Sequence, residues 1–505
     1  MDAPVGWHDI GGILPVLLLL FTGFSVLVLD LYRRGWNEPA DPGEKSGLHF
    51  LSLLGTVVAG ALITASIAAG DDASRAYFVR AIRVDRFTDA VSLIIIAGTL
   101  LTLLGAPDSL RRKDIEHGEF HCLVLCAASA MILFTQSTSL IMVFLSLETL
   151  SMGVYVLTAF SRDEKRSVEG ALKYFVLGGL SSGFLLFGLA FIFGATGKTN
   201  LADIELLVRA GGTVDGPLCL AGSALIIVGL GFKVGAFPFH SWVPDVYEGA
   251  LSVVSGFMAV TVKAASFAVL LRVSLVLAEA GGPAAREAMT AVLGVLAFAT
   301  MIFGNLVALV QTSVKRMLAY SAIAHTGYLL VGVVAGLGPR AAPGTFPPGT
   351  SILFYLLQYA LISLAAFALV AHLGEGDGER ETFESYRGLS RRAPRLSLAL
   401  LVLMASFAGI PPTPGFWGKF YIFSQAIETG HWVLALTGIL TSVVSVVYYL
   451  GLVATMYMRP PETEEPLVLE GRTWSGLAIA LAVAAVFLMG LFPDLVFELS
   501  ARCAP

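Results

Sequence analysis

Residues 216–247 read GPLCLAGSALIIVGLGFKVGAFPFHSWVPDVY, an apolar run that is interrupted by a lysine and then by glycine and proline. Its first part, 216–232, contains no Asp, Glu, Lys or Arg. A helix needs about 20 mainly apolar residues to cross the hydrocarbon of a bilayer. Irregular backbone at that depth is tolerated where it is buried in protein or lines water. The stretch therefore predicts a membrane-spanning helix that is broken beside Lys233.

The same apolar character extends over the whole chain of 505 residues. The chain is 56% hydrophobic and only 14% charged, whereas soluble domains carry about 25% charged residues. This composition excludes a soluble globular enzyme, a disordered chain and a nucleic-acid-binding protein. We therefore expect the lipid bilayer to be the surroundings of the protein and nucleic acid not to be a partner.

The apolar runs predict an all-α fold, a polytopic bundle of about fourteen transmembrane helices that forms a single integral membrane domain over residues 1–505. Backbone groups in lipid must hydrogen-bond internally, which leaves helices or a closed barrel, and these runs lack the alternation of barrel strands. The predicted helices cover 11–32, 48–69, 86–105, 119–135, 138–160, 168–194, 216–247, 250–277, 288–311, 317–338, 350–373, 396–427, 431–457 and 474–499.

Basic residues predict the orientation. The connections after odd-numbered helices hold 18 Lys and Arg residues, and the connections on the other side hold 10. Because basic loops stay on the cytoplasmic side, we expect the odd connections to be cytoplasmic and both termini to be periplasmic. The first apolar run follows acidic and no basic residues, so it predicts a retained helix rather than a signal peptide.

Ionisable residues inside the predicted spans are the candidate functional residues. A lysine at mid-bilayer costs roughly 2.5–3.5 kcal/mol on insertion scales, so mid-span lysines need a reason beyond structure. Such residues pair with each other, line wet cavities and mark proton or ion routes. Burial disfavours the charged form of an amine, which prepares it to exchange a proton. The five residues are Glu148, Lys173, Lys233, Lys263 and Lys419.

Several of these residues also have a structural alternative. Glu148 could form a buried pair with a lysine, and Lys419, near a helix end, could reach the interface with its long side chain. For Lys173, five residues into its helix, that alternative is nearly as strong. His240 and His325 could relay protons or could only hydrogen-bond.

The helix pattern also predicts an internal repeat. The two long helices 216–247 and 396–427 are both interrupted by glycine and proline, and each carries a lysine near the break. Each is the fourth in a set of five helices, the first set covering 119–277 and the second 288–457. Because the sets start on opposite sides of the membrane, the repeat is inverted. Broken helices at matching positions indicate the ion site of a transporter.

No motif for a resident cofactor or metal is found in the sequence. The four cysteines, Cys122, Cys126, Cys219 and Cys503, form no Cys-x-x-Cys pair, and no iron–sulfur or zinc spacing is present. We therefore expect no cofactor-binding residues and no metal ligands in this chain. Transport must then be driven by an ion gradient or by a partner.

Three long strings identify the family that this chain resembles. The chain is similar over nearly its whole length to the antiporter-like membrane subunits of proton-pumping NADH–quinone oxidoreductase, or respiratory complex I, a family that also includes Na⁺/H⁺ antiporter subunits. The strings are GFKVGAFPFHSWVPDVYEG at 231–249, VKRMLAYSAIAHTGY at 314–328 and GIPPTPGFWGKF at 409–420.

The resemblance implies roles for the buried residues. Glu148 and Lys233 would form a charge pair, Lys263 would be the central relay, and Lys419 would be the exit-side or communicating lysine. The accessory proton relay would comprise Lys173, His240 and His325. Two features distinguish this chain among the related subunits. It has a lysine at 419, where another subunit type of the family usually has glutamate, and its sequence predicts no long lateral helix.

The resemblance also implies an enzyme complex. This chain would be a translocase subunit without a redox centre in the inner membrane of a bacterium, and quinone reduction elsewhere would drive it. NADH, FMN, iron–sulfur clusters and quinone would bind to partner subunits, and the other membrane-arm subunits would be its neighbours.

Two other functions compete with this one. A cation/proton antiporter subunit could use the same lysines with Na⁺ or K⁺, but hard cations favour carboxylate and carbonyl oxygens, and Glu148 is the one convincing mid-span carboxylate. A purely structural spacer leaves the cost of the buried lysines unexplained.

Overall fold

The computed structural model describes residues 7–34, 42–68, 75–338, 347, 349–374, 381–461, 467 and 473–504. A π-helical turn spans Met258–Val262, and a 3₁₀ turn spans Phe383–Tyr386. The helices are α1 (Trp7–Gly12), α2 (Leu14–Arg34), α3 (Pro42–Ala68), α4 (Arg86–Arg112), α5 (Gly118–Gln136), α6 (Leu140–Thr158), α7 (Lys165–Thr196), α8 (Leu201–Arg209), α9 (Gly216–Val234), α10 (Trp242–Gly249), α11 (Ser252–Phe257), α12 (Lys263–Ala280), α13 (Gly282–Ala308), α14 (Val314–Leu337), α15 (Thr350–His372), α16 (Leu389–Arg392), α17 (Pro394–Ala408), α18 (Pro414–Glu428), α19 (Trp432–Met458), α20 (Thr473–Leu491) and α21 (Pro493–Cys503).

The all-α membrane bundle predicted from the sequence is confirmed. In the described ranges, thirteen helical segments are long and apolar enough to cross a bilayer, α11, the π turn and α12 counting as one. They lie at thirteen of the fourteen predicted spans. The remaining prediction, 396–427, is occupied by the shorter apolar helix α17 followed by α18.

Both predicted breaks occur, and glycine and proline explain them. The helix α9 ends at Val234 because Gly235 takes a left-handed φ of 73°, and helix resumes only at Trp242. The helix α17 ends before Gly409, whose φ is 84°, and α18 starts at Pro414. Left-handed backbone suits glycine at a helix C-terminus, and proline suits the first helical turn.

The structure also differs from the prediction in local features. The last predicted helix, 474–499, is divided between α20 and α21 because Pro493 lacks the N–H that would continue the helical ladder. A short antiparallel hairpin pairs β1 (Arg75–Tyr77) with β2 (Ile82–Val84). These short strands and α8 lie in connections between the predicted helices.

The core of the bundle is formed by α12, α14 and α15. In the most apolar stretch of each helix, the share of buried residues is 94% for α14 and 89% for α15. The same share is only 28% for α3 and 33% for α19. The outer helices expose large apolar side chains such as Phe187 and Val443. An apolar surface of this extent fits contact with lipid rather than with water. Titratable groups on α12, α14 and α15 are therefore held far from lipid.

Polar contacts join the connections within each face of the bundle. The face that holds the connections after odd-numbered predicted helices is called the basic face here, and the other the opposite face. At the basic face Arg166 pairs with Glu381 at 2.9 Å. At the opposite face Arg272 pairs with Asp85 at 2.8 Å. These pairs agree with an alternating path of the chain, while the cytoplasmic location of the basic face stays a prediction.

Candidate functional site

The first helix break positions Lys233 in the last turn of α9. The carbonyl groups that the break leaves free find donors from other elements. Trp242 donates its indole N–H to the Phe232 carbonyl at 2.9 Å, and Thr326 donates its hydroxyl to the Val234 carbonyl at 2.6 Å. The C-terminal end of a helix carries partial negative charge, which favours an ammonium group nearby. The break therefore places Lys233 beside the partial negative charge of a helix end at membrane depth.

The Lys233 side chain is buried, with 3% of the residue exposed. Its Nζ has no hydrogen-bond partner within the described ranges. The rings of Tyr155 and Tyr174 lie on it, each with its centroid 5.2 Å from Nζ. Aromatic faces at this distance attract a cation, but they do not replace hydrogen bonds. Lys233 is therefore a buried amine with unsatisfied donors.

Glu148 is half-buried on α6 and accepts a hydrogen bond from the Ser182 hydroxyl of α7. Its charge acts on Lys233, but no carboxylate oxygen of the described residues lies within 4.0 Å of the Lys233 ammonium. The charge pair that the resemblance implies is thus open in this structure, with the carboxylate held by Ser182. The role of the pair stays a prediction.

Lys263 follows the π turn between α11 and α12 and is buried in the core, with 4% of the residue exposed. Its ammonium donates to the Ala322 carbonyl of α14 at 2.5 Å and lies 4.8 Å from the centroid of the Tyr359 ring. Thr326 lies 3.2 Å from the same Ala322 carbonyl and also contacts Val234. Thr326 thus bridges the end of α9, where Lys233 lies, to the acceptor of Lys263.

The second helix break positions Lys419. The side chain reaches back from α18 and donates to the last carbonyls of α17, those of Phe407 at 2.9 Å and Ala408 at 3.1 Å. The ring of Tyr328 lies 5.4 Å from its Nζ. As at Lys233, a lysine meets the C-terminal end of a half-helix. Here, however, the lysine lies after the break rather than before it.

Buried hydrogen-bonding side chains occupy the space between Lys263 and Lys419. His325, 3% exposed, contacts the hydroxyl of Tyr355 through Nδ1 at 2.6 Å and that of Tyr449 through Nε2 at 3.3 Å. Its ring centroid lies 5.0 Å from that of Tyr359, whose face contacts Lys263. His325 therefore lies between the two lysines, which act on it electrostatically.

Two of the sequence-derived candidates lie outside this line. Lys173 is part of an ion-pair cluster near the basic face, 2.8 Å from Asp245 and 2.7 Å from Glu169, and its side chain is 43% exposed. His240 lies in the break after α9 against Phe303, with ring centroids 4.5 Å apart, and its Nδ1 has no partner within the described residues. The structure does not bring either side chain into contact with the buried lysines.

Two hydroxyl groups of the site were not predicted from the sequence, that of Ser182, which donates to Glu148, and that of Thr326, which contacts the Val234 and Ala322 carbonyls. Ser182 and Thr326 are common residues in apolar helices, and neither stands out in an apolar run. The adjacent pair Ser181 and Ser182, in a helix that packs against the break-bearing α9, was the one available signal. No group of three or more His, Cys, Asp or Glu residues suited to a metal ion is found in the part of the chain that the structure describes.

Solved structures with a similar architecture include a chain of a respiratory complex and a chain of an Mrp complex. A chain of respiratory complex I from Thermus thermophilus with bound aureothin has a TM-score of 0.78 at 34% identity, over 97% of this chain and 99% of that chain. A chain of the Mrp complex from Dietzia sp. DQ12-45-1b has a TM-score of 0.83 at 19% identity, over 99% and 97%. At that identity, the second likeness shows the fold alone.

Sequence comparison identifies the family. NADH-quinone oxidoreductase subunit N 1 of Herpetosiphon aurantiacus is 39% identical over 503 residues, 98% of this chain and 96% of that protein. NADH-quinone oxidoreductase subunit N of Trichlorobacter lovleyi is 38% identical over 494 residues, 97% and 96%. The family model described as NADH:quinone oxidoreductase/Mrp antiporter, TM, matches residues 137–445. This chain therefore belongs to the NADH:quinone oxidoreductase/Mrp antiporter family, among relatives named subunit N.

Proposed function

We propose that this chain moves protons across a bacterial membrane as subunit N of an NADH–quinone oxidoreductase. Its relatives of that name match almost the whole chain, and a complex I chain shares its fold. Its partners are the other membrane-arm subunits, and NADH, FMN, iron–sulfur clusters and quinone bind elsewhere in the complex. The chain is the translocating part of the enzyme and carries no redox step.

One observation carries the proposal, the line of buried polar groups through the middle of the bundle. Lys233, Lys263 and Lys419 are each at most 6% exposed. Thr326 contacts the Val234 carbonyl, next to Lys233, and the Ala322 carbonyl that accepts from Lys263, while His325 and its tyrosine partners lie near Lys263 and Lys419. Three buried amines cost on the order of 8–10 kcal/mol on insertion scales. Proton transfer along this line explains why the amines are buried at such a cost, whereas packing alone does not.

The proposed mechanism starts at the open pair of Glu148 and Lys233. When the carboxylate approaches, it stabilises the ammonium form of Lys233, and when Ser182 takes the carboxylate, that stabilisation weakens. The proton then moves toward Lys263 and on to Lys419. Quinone reduction in partner subunits drives the alternation. Lys173 and His240 keep the accessory roles proposed from the resemblance, at the edge of the route.

We also propose that residues 119–277 and 288–457 form an inverted repeat. The two breaks lie in the fourth helix of each set, and each places a lysine at the C-terminal end of a half-helix. Glu148 and His325 lie on the second helix of each set. Such half-helix ends at membrane depth are suited to ions or protons.

The function is tested with Lys233→Ala in the assembled complex, reconstituted in vesicles with NADH and a quinone. Protons moved per NADH oxidised are measured with a pH-indicating dye, and Lys198→Ala, in a connection at the opposite face, is the matched control. We expect a lower ratio for the first variant and the wild-type ratio for the second. An unchanged ratio for Lys233→Ala would remove this lysine from the route. A requirement for Na⁺ would instead favour the cation antiporter.

A further inference from the structure

Tyr174 of α7 is a fully buried tyrosine whose hydroxyl group has no hydrogen-bond partner in the part of the chain that the structure describes. A buried polar group without a partner is unfavourable, so no hydrogen bond of the hydroxyl determines where this side chain lies. The face of its ring, however, lies on Lys233, with the centroid 5.2 Å from Nζ. The ring, rather than the hydroxyl group, is therefore the part of Tyr174 that the site uses.

The indole of Trp242 holds that ring in place. The two rings are stacked, with centroids 4.2 Å apart and planes within 6° of parallel. Trp242 is itself buried and fixed, because its indole N–H donates to the Phe232 carbonyl at 2.9 Å. Phe232 directly precedes Lys233. The pair of rings, called the Tyr174–Trp242 stack, is thus tied to the backbone that carries the lysine.

The two helices that carry the stack are joined beside it. Lys173, the neighbour of Tyr174 on α7, pairs at 2.8 Å with Asp245, three residues after Trp242 on α10. One turn earlier on α7, a Cβ on Gly170 would lie only 3.0 Å from the carbonyl oxygen of Asp245, so the backbones are in close contact. A displacement of α10 from α7 would therefore move Trp242 away from Tyr174.

The surroundings of the Lys233 ammonium contain one charged group and two rings. Glu148 of α6 is the charged side chain, among the residues described, whose charge acts on it. Two titratable rings face it, that of Tyr155 on α6 and that of Tyr174 on α7, each at 5.2 Å. The face of an aromatic ring is negative and attracts a cation, most strongly where water is excluded. While Ser182 holds the carboxylate, the rings are therefore what favours the ammonium form.

We propose that the Tyr174–Trp242 stack sets how tightly Lys233 holds its proton while the pair with Glu148 is open. The proposal rests on the proposed function. The ring of Tyr174 stabilises the ammonium, and Trp242 is the positioning residue that keeps this ring on it. When α10 moves and the stack separates, the ammonium gives one proton toward Lys263 and becomes a neutral amine. No electron is transferred.

A neutral ring suits this role better than a second carboxylate. An additional ion pair would hold the proton on the amine in every state, because an opposite charge strongly favours the charged form. A cation–π contact away from water changes the balance between ammonium and amine by roughly 10- to 30-fold. A change of that size retains the proton in the open pair and still permits its release.

The pH dependence of pumping tests the role of the ring. Protons moved per NADH oxidised are measured over a range of pH in the reconstituted complex, with Tyr174→Phe and with a trifluorinated phenylalanine inserted in place of Tyr174. Fluorine weakens the negative face of the ring and nearly preserves its shape, so both forms should assemble. The weakened ring lets the amine lose its proton at lower pH. We therefore expect the pH at which the ratio falls to half on the alkaline side to be lower by about one pH unit with the fluorinated ring than with Tyr174→Phe. The same half-point for both would overturn the proposal.

The matched control for the fluorinated ring is Phe187→Leu, since Phe187 lies on the same helix but is exposed at the outer surface of the bundle. We expect the wild-type pH profile for this variant. A displaced half-point in Phe187→Leu would attribute the effect to α7 as a whole and would contradict the role of the stack.

The role of Trp242 is tested by Trp242→Phe and Trp242→Leu. The first removes the indole N–H and keeps a ring that can stack, whereas the second removes both. We expect the half-point to fall in Trp242→Leu and to be largely restored in Trp242→Phe. Equal profiles would show that stacking does not position the ring of Tyr174.

Lys233→Ala separates the two levels of the argument. A lower ratio in Lys233→Ala, together with one half-point for all the ring variants, refutes the role of the stack and leaves the proposed function standing. An unchanged ratio in Lys233→Ala contradicts the proposed function, and the role of the stack falls with it.

Discussion

Replacing Ser182 by alanine is expected to close the pair of Glu148 and Lys233. The Ser182 hydroxyl is the hydrogen-bond donor that holds the Glu148 carboxylate on α7. The charge of Glu148 already acts on Lys233, whose ammonium has no hydrogen-bond partner among the residues described. Without Ser182, the ammonium is the remaining strong donor for the carboxylate. Closure keeps the proton on Lys233 and slows its transfer toward Lys263.

The size of the effect follows from the lost hydrogen bond. A hydrogen bond to a charged group contributes about 1.5–3 kcal/mol, and 1.4 kcal/mol corresponds to a tenfold change in an equilibrium. The balance between the open and closed pair should therefore shift roughly 10- to 100-fold toward the closed pair. A shift of that size reduces the fraction of time in which Lys233 can release its proton.

The assay compares Ser182→Ala with Ser181→Ala in the reconstituted complex. Ser181 is the neighbouring buried serine and donates to the Gly229 carbonyl at 3.1 Å, so its loss leaves Glu148 untouched. Protons moved per NADH oxidised should fall in Ser182→Ala and stay near the wild-type value in Ser181→Ala. Equal ratios in the two variants would refute the reasoning, because they would show that the partner of Glu148 does not control release.

Two further predictions concern other hydrogen bonds of the bundle. Thr326→Val removes the hydroxyl that contacts both the Val234 carbonyl and the Ala322 carbonyl, the acceptor of Lys263. The Val234 carbonyl is then left without this donor, at a cost of about 1–3 kcal/mol, and the number of protons moved per NADH oxidised should fall. Thr326→Ser should restore the ratio, and equal values for both variants would exclude the bridge. Asp108→Ala removes the carboxylate that accepts from the Ser475 N–H at 2.8 Å and hydroxyl at 2.5 Å in the first turn of α20. It should destabilise the docking of this helix by about 1–2 kcal/mol, seen as inactivation of the purified complex at a lower temperature, whereas unaltered heat stability would contradict a capping role.

The breaks show how much of the site can be predicted from sequence. Glycine at 235 and 409 and proline at 414 predict both interruptions, because backbone preferences act locally and need no tertiary contact. The lysines stand out for a similar reason, since a charge in an apolar run is costly wherever the helix packs. The split at Pro493 follows from the same local rule and was nevertheless missed, because the apolar character continues past it.

The partners of these residues depend on helix packing and were not predictable. Ser182 and Thr326 are ordinary polar residues in apolar helices, and their roles depend on what the neighbouring helix presents to them. The open state of the Glu148 pair likewise depends on a serine 34 residues away in sequence.

The sequence by itself determined that the chain is a helical membrane bundle, where its helices break and which amines lie within its spans. These properties follow from the hydropathy of runs of about 20 residues and from local backbone chemistry. Only the tertiary structure decided that Lys263 and Lys419 both act on His325 and that Lys173 lies outside this line. Packing of distant helices sets those distances, because side chains on different helices meet only once the bundle has formed.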